Sequence, residues 1–170
     1  MKINPKKIME YRNIVITKTN NIDMFVSSLI CQHFFPKTPG IPVGFISTVL
    51  YQNPLSFSSR INILNNILKN KNQKDTKLIK KLNDIANIRN IFAHSDLVIK
   101  NKDNEEYVFN PKDFSKPIDF EKEYTNFYKL TMVVDPVLFK LYTDMGGKLE
   151  KKPSFVFLDE NSTKVEGEKE

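Results

Sequence analysis

One long stretch of apolar and polar residues in helical register dominates the chain, between Asp75 and Asp96. On a helical wheel of ~100° per residue seven of its apolar residues fall in one arc, which predicts an amphipathic helix. The arc consists of Leu78, Ile79, Leu82, Ile85, Ala86, Phe92 and Ala93. A second stripe beside it is polar but uncharged, and consists of Asn83, Asn87, Asn90 and His94.

Arg89 breaks this pattern, because its position falls inside the apolar arc. An unpaired charge is expensive to bury in a core. The sequence therefore leaves three placements open for this side chain: an ion pair, an exit at the helix end, or a position at an interface or cleft.

Other parts of the chain also favour helices joined by polar loops. A first helix is expected from about Thr19 or Asn20 to Phe34, followed by a proline- and glycine-rich loop at 36–44. Residues 43–51 are short and apolar, so that strand and helix both remain open. A further helix is expected from Ser56 or Ser58 to about Lys69, and its short connection to Asp75 predicts antiparallel packing of the two helices.

Past His94 the pattern changes to two short apolar runs at 97–99 and 106–109, which predicts a small β-hairpin. Ser115 and Pro117 predict the start of a last helix. We expect a break or kink in it at Pro136 and a glycine C-cap at 146–147. Residues 1–147 form one predicted helical domain, and the polar residues from 148 to 170 form a tail with a disordered end.

Composition narrows the cellular compartment and the kinds of partner that we expect for the protein. Its 170 residues carry a formal net charge of +6, a mild basic bias that is consistent with a polyanionic partner. The only cysteine, Cys31, excludes an internal disulfide and suits a reducing compartment. No run approaches the ~18 apolar residues of a membrane span, and the first residues lack the apolar part of a signal peptide. We therefore expect a cytoplasmic protein without a membrane partner.

Few residues are arranged for chemistry. One cysteine and two distant histidines do not form a metal site, and neither a glycine-rich phosphate loop nor a G-x-S-x-G motif is present. We interpret His33 as a core or surface residue. The helix end with Arg89 and His94 is the remaining candidate.

At these residues the chain resembles the HEPN (higher eukaryotes and prokaryotes nucleotide-binding) superfamily. The family motif of Arg, a polar residue, about three further residues and His stands here as Arg89, Asn90 and His94, within the phrase IANIRNIFAHS. The resemblance covers roughly residues 19–145 and is specific in 56–96. It implies a mainly α fold, an up-and-down bundle of four to five helices, with a small β-hairpin after the motif helix.

The resemblance also implies a metal-independent endoribonuclease of prokaryotic defence or toxin–antitoxin systems, with no cofactor. A histidine can deprotonate the ribose 2′-OH, and an arginine can stabilise the charge that develops on the attacked phosphate. Arg89 and His94 would be catalytic, supported by Asn90. Because one chain supplies one motif histidine, the site would be shared in a homodimer. The expected RNA-binding residues are Lys77, Lys80, Lys81 and Arg60. The alternative interpretation of the three lysines is a solvated helix face.

Other interpretations stay open. The position two residues after His94 is Asp96, where HEPN toxins paired with nucleotidyltransferases usually have tyrosine. Some branches, including the mannitol-operon-repressor type, bind rather than cleave, so a non-catalytic regulator or interaction module is an alternative. An accessory subunit of a defence complex, with an antitoxin or defence partner, is another. His94 would then only end the helix, and Arg89 would form a structural ion pair with Asp84, Asp96 or Glu123.

Overall fold

The computed structural model describes residues 5–36, 43–45, 49–50, 55–94, 98–100, 106–110 and 113–147. This part of the chain is mainly α, as predicted. The helices are α1 (Pro5–Phe34), α2 (Val43–Phe45), α3 (Phe57–Asn70), α4 (Thr76–His94) and α5 (Phe120–Asp144). Between α4 and α5 lie the short strands β1 (Val98–Lys100), β2 (Glu106–Asn110) and β3 (Asp113–Pro117).

The long helices α1, α3, α4 and α5 pack around one apolar core. Each helix contributes side chains that are almost completely removed from water, and their burial is the main favourable term in folding. The largest of them are Phe92, Phe127, Leu29, Ile30, Ile61, Leu64, Leu68, Leu82, Ile85, Leu138 and Val15, and Leu50 from the segment before α3 is buried with them. Among the described helices, none combines the length and apolar character needed to cross a bilayer.

The boundaries of α3 and α4 confirm the sequence prediction. The Ser56 hydroxyl accepts a hydrogen bond from the Ser59 backbone N–H (3.2 Å), which makes Ser56 the N-cap of α3. The Asp75 carboxylate accepts from the Leu78 backbone N–H (2.9 Å) in the same way at the start of α4.

The expected start of α1 near Thr19 is wrong, because the helix already begins at Pro5. Its first half is held by α5. Val15 is fully buried, and the Tyr11 ring stacks on the Tyr124 ring with the centroids 4.1 Å apart. The Lys18 ammonium lies 2.6 Å from an Asp135 carboxylate oxygen. These tertiary contacts stabilise a helix whose sequence carries little periodic signal at its start.

α1 and α5 run side by side in the same direction. Contacts between them advance along both helices together, from the Lys7–Glu121 ion pair through Tyr11–Tyr124 and Lys18–Asp135 to the edge-on rings of Phe25 and Tyr142. The chain therefore reverses direction an even number of times between these two helices. Strict up-and-down alternation over four long helices would make the first and last of them antiparallel, so this pair departs from the expected connectivity.

The backbone between α4 and α5 forms paired strands. β1 is antiparallel to β2, with Val98 opposite Val108, and β2 is antiparallel to β3. The turn of the predicted hairpin falls outside the described residues, and the hairpin as a unit stays a prediction. The predicted tail at 148–170 also lies outside them.

Two expectations about α5 are wrong. Residues 115–117 belong to β3, and the helix begins at Phe120, where the Asp119 carboxylate accepts from the Lys122 backbone N–H (3.1 Å). Of the break or kink expected at Pro136, the break is wrong, because the helix continues through this residue. The kink stays a prediction. Pro136 removes the helical hydrogen bond to the Met132 carbonyl. Both residues are exposed, so this turn lies on the solvent side of α5.

Candidate active site at the end of helix α4

His94 is the last residue of α4, and its side chain is exposed. Asn90 lies one turn earlier on the same side and is also exposed. Further along this side, Asn87 is exposed and Asn83 is half-buried. The polar stripe predicted from the sequence therefore faces solvent, while the apolar arc faces the core.

Arg89 is half-buried, and its side chain extends toward the stripe. Its Nη1 donates a hydrogen bond to Oδ1 of Asn90 (3.2 Å). In the described part of the chain Arg89 forms no ion pair. Asp84, one of the expected partners, lies 3.5 Å from the Lys80 ammonium instead, and Asp96 lies outside the described residues.

Packing against α5 fixes the position of this helix end. Phe92 is fully buried, and its ring meets the Phe120 ring edge-on with the centroids 5.2 Å apart. Phe120 is the first residue of α5. The end of α4 is thereby held against the beginning of α5, and this packing favours a defined position for the backbone that carries His94.

Five positions along a helix correspond to a rotation of ~140°, so Arg89 and His94 leave α4 on different sides. The hydrogen bond to Asn90 reduces this separation, because Asn90 and His94 share one face. The arrangement offers an imidazole for proton transfer, a guanidinium for a phosphate, and an amide between them.

Two of the lysines expected to bind RNA, Lys77 and Lys80, are exposed, and Lys81 is half-buried. All three lie in the first half of α4. At ~1.5 Å per residue, Lys80 is ~21 Å from His94 along the helix axis. The lysines are thus well separated from the candidate site, but Lys80 shares the solvent side of α4 with it.

Arg60 was expected to contact RNA, and its position does not suit that role. The side chain is 5% exposed, and its Nε donates to Oδ1 of Asp23 (2.6 Å). Its Nη2 donates to Oδ2 of Asp23, and its Nη1 donates to the carbonyls of Leu50 and Leu55. Sequence reasoning missed Asp23 altogether. Its position among buried apolar residues of α1 was the available signal.

No protein-family model, no curated protein and no solved structure matches the chain. Membership of the HEPN superfamily therefore stays a prediction that rests on the motif. Within the described residues, no three His, Cys, Asp or Glu side chains come close enough together to hold a metal ion.

Proposed function

We propose that the protein is a metal-independent endoribonuclease of the HEPN type, acting in prokaryotic defence or as a toxin. The observation that carries the proposal is the exposure and hydrogen bonding of the motif residues at the end of α4. His94 is exposed, and Arg89 is bonded to an uncharged amide rather than to a carboxylate of the described chain. A purely structural arginine would be expected to have a carboxylate partner, as Arg60 has.

In the proposed reaction His94 removes the proton from a ribose 2′-OH. The oxygen then attacks the adjacent phosphorus, the bond to the 5′-oxygen breaks, and a 2′,3′-cyclic phosphate and a 5′-hydroxyl form. Arg89 stabilises the negative charge that develops on the phosphoryl oxygens. Asn90 orients the guanidinium through the hydrogen bond to Nη1.

Protonation of the leaving 5′-oxygen needs a second acid, and the geometry favours a second chain as its source. The other histidine, His33, lies next to Gln32, which donates to the Met145 carbonyl (3.2 Å) beyond the end of α5. His94 lies beside the beginning of the same helix. The 25 residues of α5 separate these ends by ~37 Å. A homodimer that brings two α4 ends together would supply two imidazoles and two guanidinium groups.

The test is cleavage of a fluorescently labelled, mixed-sequence RNA in EDTA. We expect wild-type protein to cut it and to leave 2′,3′-cyclic phosphate ends, and we expect His94→Ala and Arg89→Ala to lose at least ~100-fold in rate. Arg89→Lys should also lose most of the activity, since an ammonium lacks the planar fork of donors. The matched control is His33→Ala, which should cut at the wild-type rate.

Two results would contradict the proposal. One is a folded, dimeric wild-type protein that leaves every RNA substrate intact. The other is cutting that persists in His94→Ala, which would indicate a contaminating nuclease. Light scattering should give the mass of a dimer for wild type and for both inactive variants.

A second candidate function is a non-catalytic interaction module, such as a regulator or an accessory subunit of a defence complex. The observation that favours it is an apolar surface on α5 formed by Tyr128, Met132 and Val133, which are 50%, 47% and 48% exposed. Exposed apolar patches commonly mark protein interfaces. If the protein is such a module, wild type should cut no RNA, and Met132→Glu should abolish binding of the separate partner protein. A mass that falls from dimer to monomer would instead assign the surface to self-association.

A further inference from the structure

A basic cleft lies between α3 and α4, where the two helices are joined. Its cavity has a volume of about 380 Å³. The walls are Asn65 and Lys69 of α3, Lys74 of the connection, and Thr76, Ile79, Lys80, Asn83 and Asp84 of α4. The sequence indicated only a solvated turn here, because the contribution of both helices to one cleft depends on how they pack.

The charges in this cleft favour an anion. Three lysines face one carboxylate, that of Asp84. Lys69 and Lys74 are exposed and form no ion pair with any other described residue. The Lys80 side chain is 81% exposed and lies 3.5 Å from Asp84. Such exposed pairs between successive helical turns are weak, so a phosphate can replace the carboxylate as the partner of Lys80.

The cleft continues into the polar stripe that ends at the candidate active site. Lys80, Asn83, Asn87, Asn90 and His94 follow one another at alternating spacings of three and four residues, and they line the solvent side of α4. Lys80 and Asn83 also line the cleft. The stripe is uncharged between its two ends and spans ~21 Å.

We infer that this cleft binds the phosphates of single-stranded RNA and that the stripe guides the strand from the cleft to His94. The inference rests on the proposed function, because that function makes His94 the residue at which the RNA reacts. Lysine ammonium groups suit phosphates, and asparagine amides can donate to and accept from base edges and the 2′-OH. An acidic peptide would also satisfy the lysines, but the stripe ends at the imidazole of His94 and the guanidinium of Arg89, a pair that suits the 2′-OH and the phosphate of RNA.

The experiment measures RNA binding by fluorescence anisotropy with the full chain carrying His94→Ala, so that the RNA stays intact. The cleft variant adds Lys69→Gln and Lys74→Gln. The matched control adds Lys129→Gln and Lys140→Gln on α5, which lowers the formal net charge of +6 by the same two units. Circular dichroism should show that both variants keep the helical content of the parent.

We expect the cleft variant to bind a twelve-nucleotide RNA roughly tenfold more weakly than the control variant, which should bind like the parent. The slope of log K against log salt should become shallower by ~1.4, as expected for two lost phosphate contacts on a single strand. Affinity should rise with RNA length until the strand spans the ~21 Å between the cleft and His94, and it should then level off.

Equal losses in the cleft and control variants would overturn the inference, since they would indicate binding through net charge alone. Complete displacement of the RNA by polyglutamate, with equal affinity for both polymers, would also overturn it and assign the cleft to acidic peptides. The two proposals fail separately. If RNA binding depends on the cleft but wild type does not cleave RNA, the inference about the cleft holds and the nuclease proposal is wrong. If Lys69→Gln/Lys74→Gln cleaves RNA at the wild-type rate, the nuclease proposal holds and the inference about the cleft is wrong.

Discussion

Arg60 of α3 and Asp23 of α1 form a buried ion pair inside the bundle. The guanidinium donates to both carboxylate oxygens, and it also donates to the carbonyls of Leu50 and Leu55 in the segment before α3. Every nitrogen of the guanidinium is thus engaged. One side chain links α1, α3 and the segment between them.

Removing one partner of this pair should be strongly destabilising. Asp23→Ala leaves a buried guanidinium without its counter-charge, and Arg60→Ala leaves a buried carboxylate, so each should cost ~3–5 kcal/mol of unfolding free energy. The double variant Asp23→Leu/Arg60→Met should cost less than the sum of the single changes, because no charge is left unpaired. Urea denaturation followed by circular dichroism measures all three. Additive losses would show that the two residues do not act as a pair.

Substitutions at the exposed part of the candidate site should leave stability nearly unchanged. His94 and Asn90 have exposed side chains at the end of α4, so alanine at either position should alter the unfolding free energy by no more than ~0.5 kcal/mol. Thermal melts at equal protein concentration measure this. A loss above ~2 kcal/mol would indicate a structural role for the residue and would weaken the proposal of a catalytic one.

Phe92 should position the site through packing. Phe92→Ala removes a fully buried ring that contacts Phe120, so it should cost ~3–5 kcal/mol and loosen the end of α4. The expected signature is RNA cleavage that falls under conditions where the variant is still folded. Tyr128→Ala, at a half-exposed aromatic of α5, is the control and should lose far less stability. Wild-type cleavage rates in folded Phe92→Ala would contradict this link.

Cys31 should be slow to react with thiol reagents in the folded protein. It is 2% exposed, and burial raises the pKa of its thiol from 9.0 to about 11. Because the thiolate is the reactive form, a disulfide reagent at pH 8 should modify it slowly in buffer and quickly in denaturant. Equal rates in both media would show that the thiol is accessible.

The same pKa shift makes the free energy of unfolding decrease at high pH. The folded protein keeps the thiol proton that the unfolded chain loses above pH 9.0, so this contribution is complete below pH 9.0 and decreases as pH rises toward about 11. Wild type should therefore lose more unfolding free energy between pH 8 and pH 10 than Cys31→Ala does. Identical losses would exclude the thiol as the cause.

The sequence located α3 and α4 well because their boundaries depend on local chemistry. Ser56 and Asp75 cap the two helices with their own side chains, and the apolar arc of α4 is the face that the bundle buries. The same local pattern placed Asn83, Asn87, Asn90 and His94 on one side, and that side is the one that faces solvent.

Other elements were misjudged because contacts from distant parts of the chain outweigh local signals. The first half of α1 depends on α5, through the stacked rings of Tyr11 and Tyr124. Pro136 is a strong local helix breaker, yet α5 continues through it on the exposed side, and Asp135 beside it pairs with Lys18 of α1.

The sequence by itself determined a mainly helical chain and a helix end that carries Arg89, Asn90 and His94. Helical periodicity and capping act over a few residues, so a single sequence can reveal them. Only the tertiary structure decided that Arg60 is committed to Asp23, and that Lys69, Lys74 and Lys80 share one cleft. The partner of a charged side chain depends on which helices pack together. Helix packing is determined by residues throughout the chain, and the residues next to the charged side chain in sequence do not reveal it.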